Sequence, residues 1–248
     1  MTGRVALVTG GATGIGAAIT GRLLADGYHV LAVQRTEREA SEGRRALASD
    51  RAYVAAHDLA GADGPRAAVA ECVARFGGLD VLVNNAAVTG RPAVAPLDAL
   101  DDARIDRIID TNLKAPLRLA REALPHLAER GGVIVNVGSI AAFQAQPDAA
   151  AYVASKAGLA GLTRALAYDL APRGIRVVHL APGAVDTEAS LDPAYTRERR
   201  DAGWSKPTPL GRAAAPHQVA EAVAWLVSDG AGPVTGSTLF VDGGLSAF

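Results

Sequence analysis

Seven short apolar runs punctuate the chain: "RVALVT" (4–9), "HVLAV" (29–33), "AYVAAH" (52–57), "DVLVNN" (80–85), "GVIVNVGS" (132–139), "IRVVHLAP" (175–182) and "STLFVDG" (237–243). Most are apolar at successive positions rather than alternate ones, as strands buried on both faces should be. Between them, apolar positions recur with a helical period near 14–26, 36–48, 64–76, 98–129, 149–172 and 216–228. Strand alternating with helix implies right-handed crossovers, and so predicts an α/β fold: a doubly wound parallel sheet with helices on both faces. No linker, repeat or low-complexity tract interrupts the 248 residues, so one domain is expected over 1–248. One segment breaks the rhythm. Residues 186–213, "DTEASLDPAYTRERRDAGWSKPTPLGRA", form a long polar, Pro-containing insertion of the kind that closes over a site.

The first strand runs into Thr9-Gly10-Gly11-Ala12-Thr13-Gly14-Ile15-Gly16 and then directly into a helix. Glycines at 10, 14 and 16 allow a tight turn and let backbone N–H groups approach a pyrophosphate, with the helix N-terminus favouring its charge. A Gly-rich turn alone is weak evidence. As the first strand-to-helix turn of an alternating α/β chain, it points to a dinucleotide.

A second signal lies in "AAYVASKAGLAG" (150–161), where Tyr152 and Lys156 stand four apart among small residues. On a helix they share a face. The chain uses only three lysines among 25 basic residues, so a lysine here suggests a need for a compact ammonium. Such a charge favours the phenolate and brings a tyrosine, whose free pKa is near 10, toward the pH at which general acid–base catalysis works.

The spacing G-x-x-x-G-x-G, combined with Tyr152-x-x-x-Lys156, resembles the short-chain dehydrogenase/reductase family, and the resemblance covers essentially the whole chain. It takes in Asn84-Asn85-Ala86-Ala87 after the fourth run, Asn112, and Ser139 thirteen residues before the tyrosine. Pro182-Gly183 with Val185 and Thr187, and Val241-Asp242-Gly243-Gly244, complete it. Ala87 departs from the more usual glycine, and Val178-His179 from the more usual Asn and small residue; His179 is read as structural.

The resemblance implies hydride transfer between a nicotinamide dinucleotide and a carbonyl or alcohol. Its cofactor-binding residues map onto Gly10, Thr13, Gly14, Ile15, Gly16, Gln34, Arg35, Asp58, Leu59, Asn85, Ala86, Ala87, Tyr152, Lys156, Pro182, Gly183, Val185 and Thr187. It makes Tyr152 the proton donor or acceptor, with Lys156 tuning it and holding the nicotinamide ribose. Ser139 would donate a hydrogen bond to the reacting oxygen; by itself, a serine after a strand is an ordinary turn residue. Asn112 has a physical argument besides. Pro116 has no N–H, so in an α-helix the carbonyl of Asn112 loses its usual donor. In the family that carbonyl holds a water leading to the lysine; a tolerated kink is the other reading, and the two are compatible.

Cofactor choice turns on "LAVQRTER", where the second strand ends at neutral Gln34, followed by Arg35 and, in the next helix, Arg38. A carboxylate at the strand end would bond the 2′-hydroxyl of NAD. A guanidinium there can pair with the 2′-phosphate of NADP. NADP(H) is therefore expected and NAD(H) is the alternative; Thr13, where NADP-preferring relatives often carry a basic residue, argues the other way. Both arginines also read as solvated charges. Asp58 resembles the residue that accepts from the adenine amine, and reads equally as a cap for the helix after it.

Composition trims the remaining possibilities. A net charge of −1 shows no footprint for nucleic acid or an anionic membrane, and no stretch approaches the ~18 apolar residues of a span. "MTGRVALVTGG" has no signal-peptide h-region, so a cytoplasmic location is expected. The single cysteine, Cys72, excludes an internal disulfide framework and reads as a packed helix residue; no metal site is expected. The expected partner is a small carbonyl or alcohol, met by Phe143, Gln144, Gln146, Leu191, Tyr195 and Trp204. Arg197, Arg199 and Arg200 read as the solvated face of a lid helix, with anion steering as the alternative. Sugar, steroid, acyl thioester, small ketone and cyclic imine remain open. A 3-oxoacyl-acyl-carrier-protein reductase and a non-catalytic dinucleotide sensor are the rival functions. Apolar or small residues on more than one side of the Tyr152 helix (Ala157, Gly161, Ala165, Leu166) lead us to expect a homotetramer.

Overall fold

Runs of Val, Leu, Ile and Ala with few polar interruptions form strands that are covered on both sides. In a computed structural model, which describes residues 3–47, 49–187 and 208–247, these are β1 (Val5–Thr9), β2 (His29–Gln34), β3 (Ala52–Ala56), β4 (Val81–Asn84), β5 (Val133–Val137), β6 (Arg176–Pro182) and β7 (Thr238–Val241). They make one parallel sheet of order β3-β2-β1-β4-β5-β6-β7. Each predicted run lies within two residues of its strand. The internal strands β1, β4 and β5 are buried along their whole length, whereas the edge strands β3 and β7 are partly exposed.

The period-two alternation of side chains divides the core between the two faces. Leu7, Leu31, Leu82, Ile134 and Val177 pack against α3 (Gly64–Phe76), α5 (Ala115–Ala128) and α6 (Ala150–Leu170). Val8, Val30, Val83, Val135 and Leu180 pack against α1 (Gly14–Ala25) and the helix Pro216–Val227, here α7. The helix α2 (Glu37–Ala46) begins with a capping box, Thr36 accepting from the N–H of Glu39 while the Glu39 carboxylate accepts from the N–H of Thr36.

The predicted helix over 98–129 is divided. A short 3₁₀ turn at Leu97–Ala99 precedes α4 (Asp102–Ile109), and a π-helical turn, Asp110–Lys114, joins α4 to α5. The Ala115 N–H reaches back five residues to the Asp110 carbonyl. Pro116 forces this register: it has no N–H for the carbonyl of Asn112, and the wider turn accommodates the missing bond. In the sheet order, connections run in opposite directions from β1 and β4. The crevice at their C-terminal ends is therefore the switch point where such folds bind ligands.

Candidate active site

The turn after β1 is shaped by steric necessity. Gly10 and Gly14 have φ of +62° and +50°, a region costly to other residues. At Gly16 an added Cβ would lie 2.0 Å from the Gly10 carbonyl oxygen, so the helix start is folded tightly onto the turn. Thr13 occupies the N-cap of α1 without a side-chain cap bond, and Ile15 packs against the core on the α1 face. Two residues brace this turn from the neighbouring strands. The Thr9 hydroxyl accepts from the N–H groups of Asn85 and Ala86, both at 2.9 Å, and the Asn85 side-chain amide donates to the carbonyls of Thr9 (2.9 Å) and Gly10 (3.3 Å). Asn85 thus shapes the backbone cradle with its side chain.

From the other side, β6 ends at Pro182, and Gly183 lies so close to Asp242 that a Cβ would meet it at 2.9 Å. Val185 forms a bridge with Ala214, and Thr187 reaches the glycine turn: its methyl would stand 3.5 Å from a Cβ at Gly14. Residues predicted from four separate segments therefore meet at the C-terminal ends of the strands. Residues 188–207, which hold Leu191, Tyr195, Arg197, Arg199, Arg200 and Trp204, lie outside the described part.

The second pole of the site is the N-terminal half of α6. Lys156 is buried, and its Nζ donates to the Val137 carbonyl at 3.0 Å while standing 5.8 Å from the centroid of the Tyr152 ring. Burial lowers the Lys156 pKa to about 8, so the ammonium form still predominates at pH 7. Tyr152 packs on a small apolar cluster formed by Ala93, Ile108 and Ala151. Ser139, two residues beyond β5, accepts from the Ala141 N–H at 3.1 Å, which engages a lone pair and leaves its hydrogen to donate.

Asn112 does more than its backbone suggested. Its side-chain oxygen accepts from the Val88 N–H (2.8 Å), and its amide nitrogen donates to the Val88 carbonyl and to Ser155 Oγ, both at 3.1 Å. Ser155 in turn donates to the Tyr152 carbonyl at 2.7 Å. A continuous chain of hydrogen bonds thus ties the π-helical turn, the segment after β4 and the tyrosine. A second buried relay runs from Asn84 to Asn136 (2.8 Å) and from Asn136 to Thr163 (2.9 Å), pinning β4 and β5 to α6. Sequence reasoning missed Ser155, Asn136 and Thr163. Their only signal was polarity at buried positions.

His179 lies beneath this site. Its Nε2 is buried without a protein partner, its Nδ1 is 3.3 Å from Thr238 Oγ1, and a Cβ at Gly138 would overlap the ring at 1.9 Å. Burial, then the charges of Lys156 and Arg164, push its pKa down to about 4. It is therefore neutral under ordinary conditions, as a structural histidine should be. Cys72 is likewise inert: burial raises its thiol pKa to about 12.

One other expectation needs correction. Asp58 does not cap α3, whose N-cap is Asp63. Its carboxylate accepts instead from the Ala60 N–H (3.1 Å) and Arg107 (2.9 Å). Partial burial opposes the charge, but these bonds and the nearby Arg107 and Arg35 outweigh it and hold the pKa below the usual range. Leu59 beside it is buried. Arg35 is solvent-exposed, and its guanidinium pairs with Glu39 at 3.3 Å. Gln144 donates to the Leu245 carbonyl at 3.1 Å, tying down the C-terminal segment.

The cradle fits a dinucleotide: positive-φ glycines open the backbone, and the Gln34 amide nitrogen is buried without a protein acceptor at the end of β2. A nicotinamide group bound there supplies a hydride. Among the described residues, no cluster of His, Cys, Asp or Glu could hold a metal, and no helix is long and apolar enough to cross a membrane.

A family described as Enoyl-(Acyl carrier protein) reductase matches residues 10–246. The chain is 43% identical to a cis-4-hydroxycyclohexanecarboxylate dehydrogenase of Sinomonas cyclohexanicum, over 98% of this chain and 97% of the relative. It is 38% identical to 3beta-hydroxysteroid dehydrogenase 1 of Eggerthella lenta (100% and 95%). It is 35% identical to a 3-oxoacyl-[acyl-carrier-protein] reductase of Rickettsia conorii (99% and 98%). The protein belongs to the short-chain dehydrogenase/reductase family and is an oxidoreductase of that family that binds nicotinamide dinucleotides.

Proposed function

We propose that the protein interconverts a secondary alcohol and its ketone on an alicyclic ring, with NADP(H) as the preferred hydride carrier. The observation that carries the reaction type is the pairing of Lys156 with Tyr152 on one face of α6, with the Lys156 ammonium anchored to the Val137 carbonyl two residues before Ser139. In this reading Tyr152 gives a proton to the oxygen as hydride arrives, or takes it in the reverse direction. Lys156, charged and fixed by the Val137 carbonyl, favours the phenolate and holds the cofactor ribose. Ser139 donates its free hydrogen to the same oxygen. Asn112 and Ser155 fix the helix that carries the tyrosine, and the π-helical turn at Asn112 carries the proton path.

The ring preference rests on an aromatic surface contributed by the segment that follows Ser139. Phe143 is half exposed, four residues beyond Ser139, and its ring lies 5.1 Å from that of Phe240. Such a wall suits a cyclohexane-type skeleton, and the two relatives at 43% and 38% identity are named for ring alcohols. The relative at 35% supports a second reading, reduction of a 3-oxoacyl thioester. NADP(H) is supported by the absence of a carboxylate at the end of β2, where Gln34 and Arg35 stand. We further propose a homotetramer in the cytoplasm, supported by the exposed Leu117, Tyr168, Trp225 and Phe240 on α5, α6, α7 and β7.

A test is cofactor depletion with NADPH and NADH across ring ketones, 3-ketosteroids and 3-oxoacyl thioesters. A kcat/KM for ring ketones at least ten times that for acyl thioesters is expected. The reverse order would replace this reading with the second, and cofactor binding without turnover on any carbonyl would make the protein a sensor.

A further inference from the structure

We propose that Glu39 is a specificity-determining residue: it restrains Arg35 and so limits how strongly the protein discriminates in favour of a 2′-phosphorylated adenosine. The proposal rests on the reading that Arg35 faces the 2′ position of the cofactor.

Glu39 is held in one place by its part in the capping box. Its Oε2 accepts from the backbone N–H groups of Arg35 (3.2 Å) and Thr36 (3.3 Å), which leaves Oε1 to take the Arg35 guanidinium at 3.3 Å. The carboxylate is therefore not a mobile surface charge that withdraws when an anion arrives. Two neighbouring acids have other partners. Glu37 pairs with Arg44, and Asp58 is bonded by Arg107. Asp58 also acts on Arg35 through space. A 2′-phosphate must therefore share Arg35 with a fixed carboxylate and approach that carboxylate's like charge.

Glutamine at this position retains an oxygen for the capping box, because Gln serves there as Glu does, but it carries no charge. Glu39→Gln should thus preserve the start of α2 and release Arg35. The pair is partly exposed, with Arg35 57% and Glu39 29% accessible, so the gain is modest.

The decisive experiment is calorimetric titration of the whole protein with adenosine 2′,5′-bisphosphate and adenosine 5′-monophosphate, using wild type, Glu39→Gln, Arg35→Ala and the double variant. The thermal midpoint of each confirms folding. Glu39→Gln should bind the bisphosphate roughly threefold or more tighter, with 5′-monophosphate affinity unchanged. The gain should vanish in the Arg35→Ala background. No gain, or a gain that persists without Arg35, overturns the role of Glu39. If Arg35→Ala alone leaves bisphosphate affinity unchanged, the reading of Arg35 itself falls, and the role of Glu39 falls with it.

Discussion

Lys156 places its ammonium nitrogen 5.8 Å from the centre of the Tyr152 ring, one helical turn away, while donating to the carbonyl of Val137. A buried ammonium with one neutral hydrogen-bond acceptor costs stability, and the lowered pKa expresses that cost.

Replacing it should separate stability from function. Lys156→Met removes the buried charge at similar volume and is expected to raise unfolding free energy at pH 7 by about 1–2 kcal/mol, while kcat falls at least about a hundredfold. The linkage is explicit. A folded-state pKa near 8 against 10.5 unfolded means that the unfolded chain binds more protons between these values. Wild-type stability therefore rises with pH from 8 to 10.5, and the variant lacks that rise. Urea titrations at pH 7 and 10 check both points; a destabilised Lys156→Met at pH 7 would contradict the burial argument.

Two glycines in α1 give opposite expectations. At Gly16 a methyl group would collide with the Gly10 carbonyl at 2.0 Å and with the Asn85 amide at 2.6 Å, whereas at Gly21 nothing lies within 4 Å. Gly16→Ala should abolish measurable NADPH and NADH binding. Gly21→Ala should leave it intact and stabilise the helix by about 0.5–1 kcal/mol. Fluorescence titration and thermal melts decide; normal cofactor affinity in Gly16→Ala would disprove the steric account of the turn.

Much of this architecture was legible before the fold was known. Strand positions could be read because β1, β4 and β5 are buried on both faces, which leaves unbroken apolar runs. The glycine turn was legible because Gly10 and Gly14 have conformations that other residues rarely adopt. The division between α4 and α5 was only half visible. Pro116 announced a lost bond at Asn112, but the repair by a π-helical turn is a property of the backbone. Ser155 was hidden among small helix residues, since its bonds to Asn112 and Tyr152 depend on how α6 packs on the π-helical turn. The pairing of Arg35 with Glu39 was equally obscure, because on a polar helix an i,i+4 pair looks like any solvated face.

His179 should make the protein acid-sensitive. Its folded-state pKa near 4 lies below the ordinary 6.5, so the unfolded chain takes up a proton first as pH falls through that window. Stability should then decline between pH 6.5 and 4 by up to about 3 kcal/mol from this residue. His179→Asn removes the titrating group and should flatten that part of the profile. Chemical denaturation at pH 7, 5.5 and 4.5 checks it. Parallel profiles for the two proteins would show that His179 is not the group responsible.

Assembly is expected from the apolar side chains left uncovered on α5, α6, α7 and β7, among them Tyr168 at 84% exposure. Light scattering should give four times the 25.3 kDa chain mass. A single-chain mass would remove the oligomer from the account, and a dimer would retain only a contact through α5 and α6 or one through α7 and β7.

The central claim is that Tyr152 moves the proton, and Tyr152→Phe tests it most directly, because the side chain stays packed on the cluster of Ala93, Ile108 and Ala151 while only the hydroxyl is removed. Steady-state turnover on the best ketone, together with fluorescence titration of NADPH, gives both quantities from one preparation. The account predicts a kcat reduced at least about a hundredfold with NADPH affinity within about twofold of wild type. A variant that keeps more than about a tenth of wild-type kcat would contradict it.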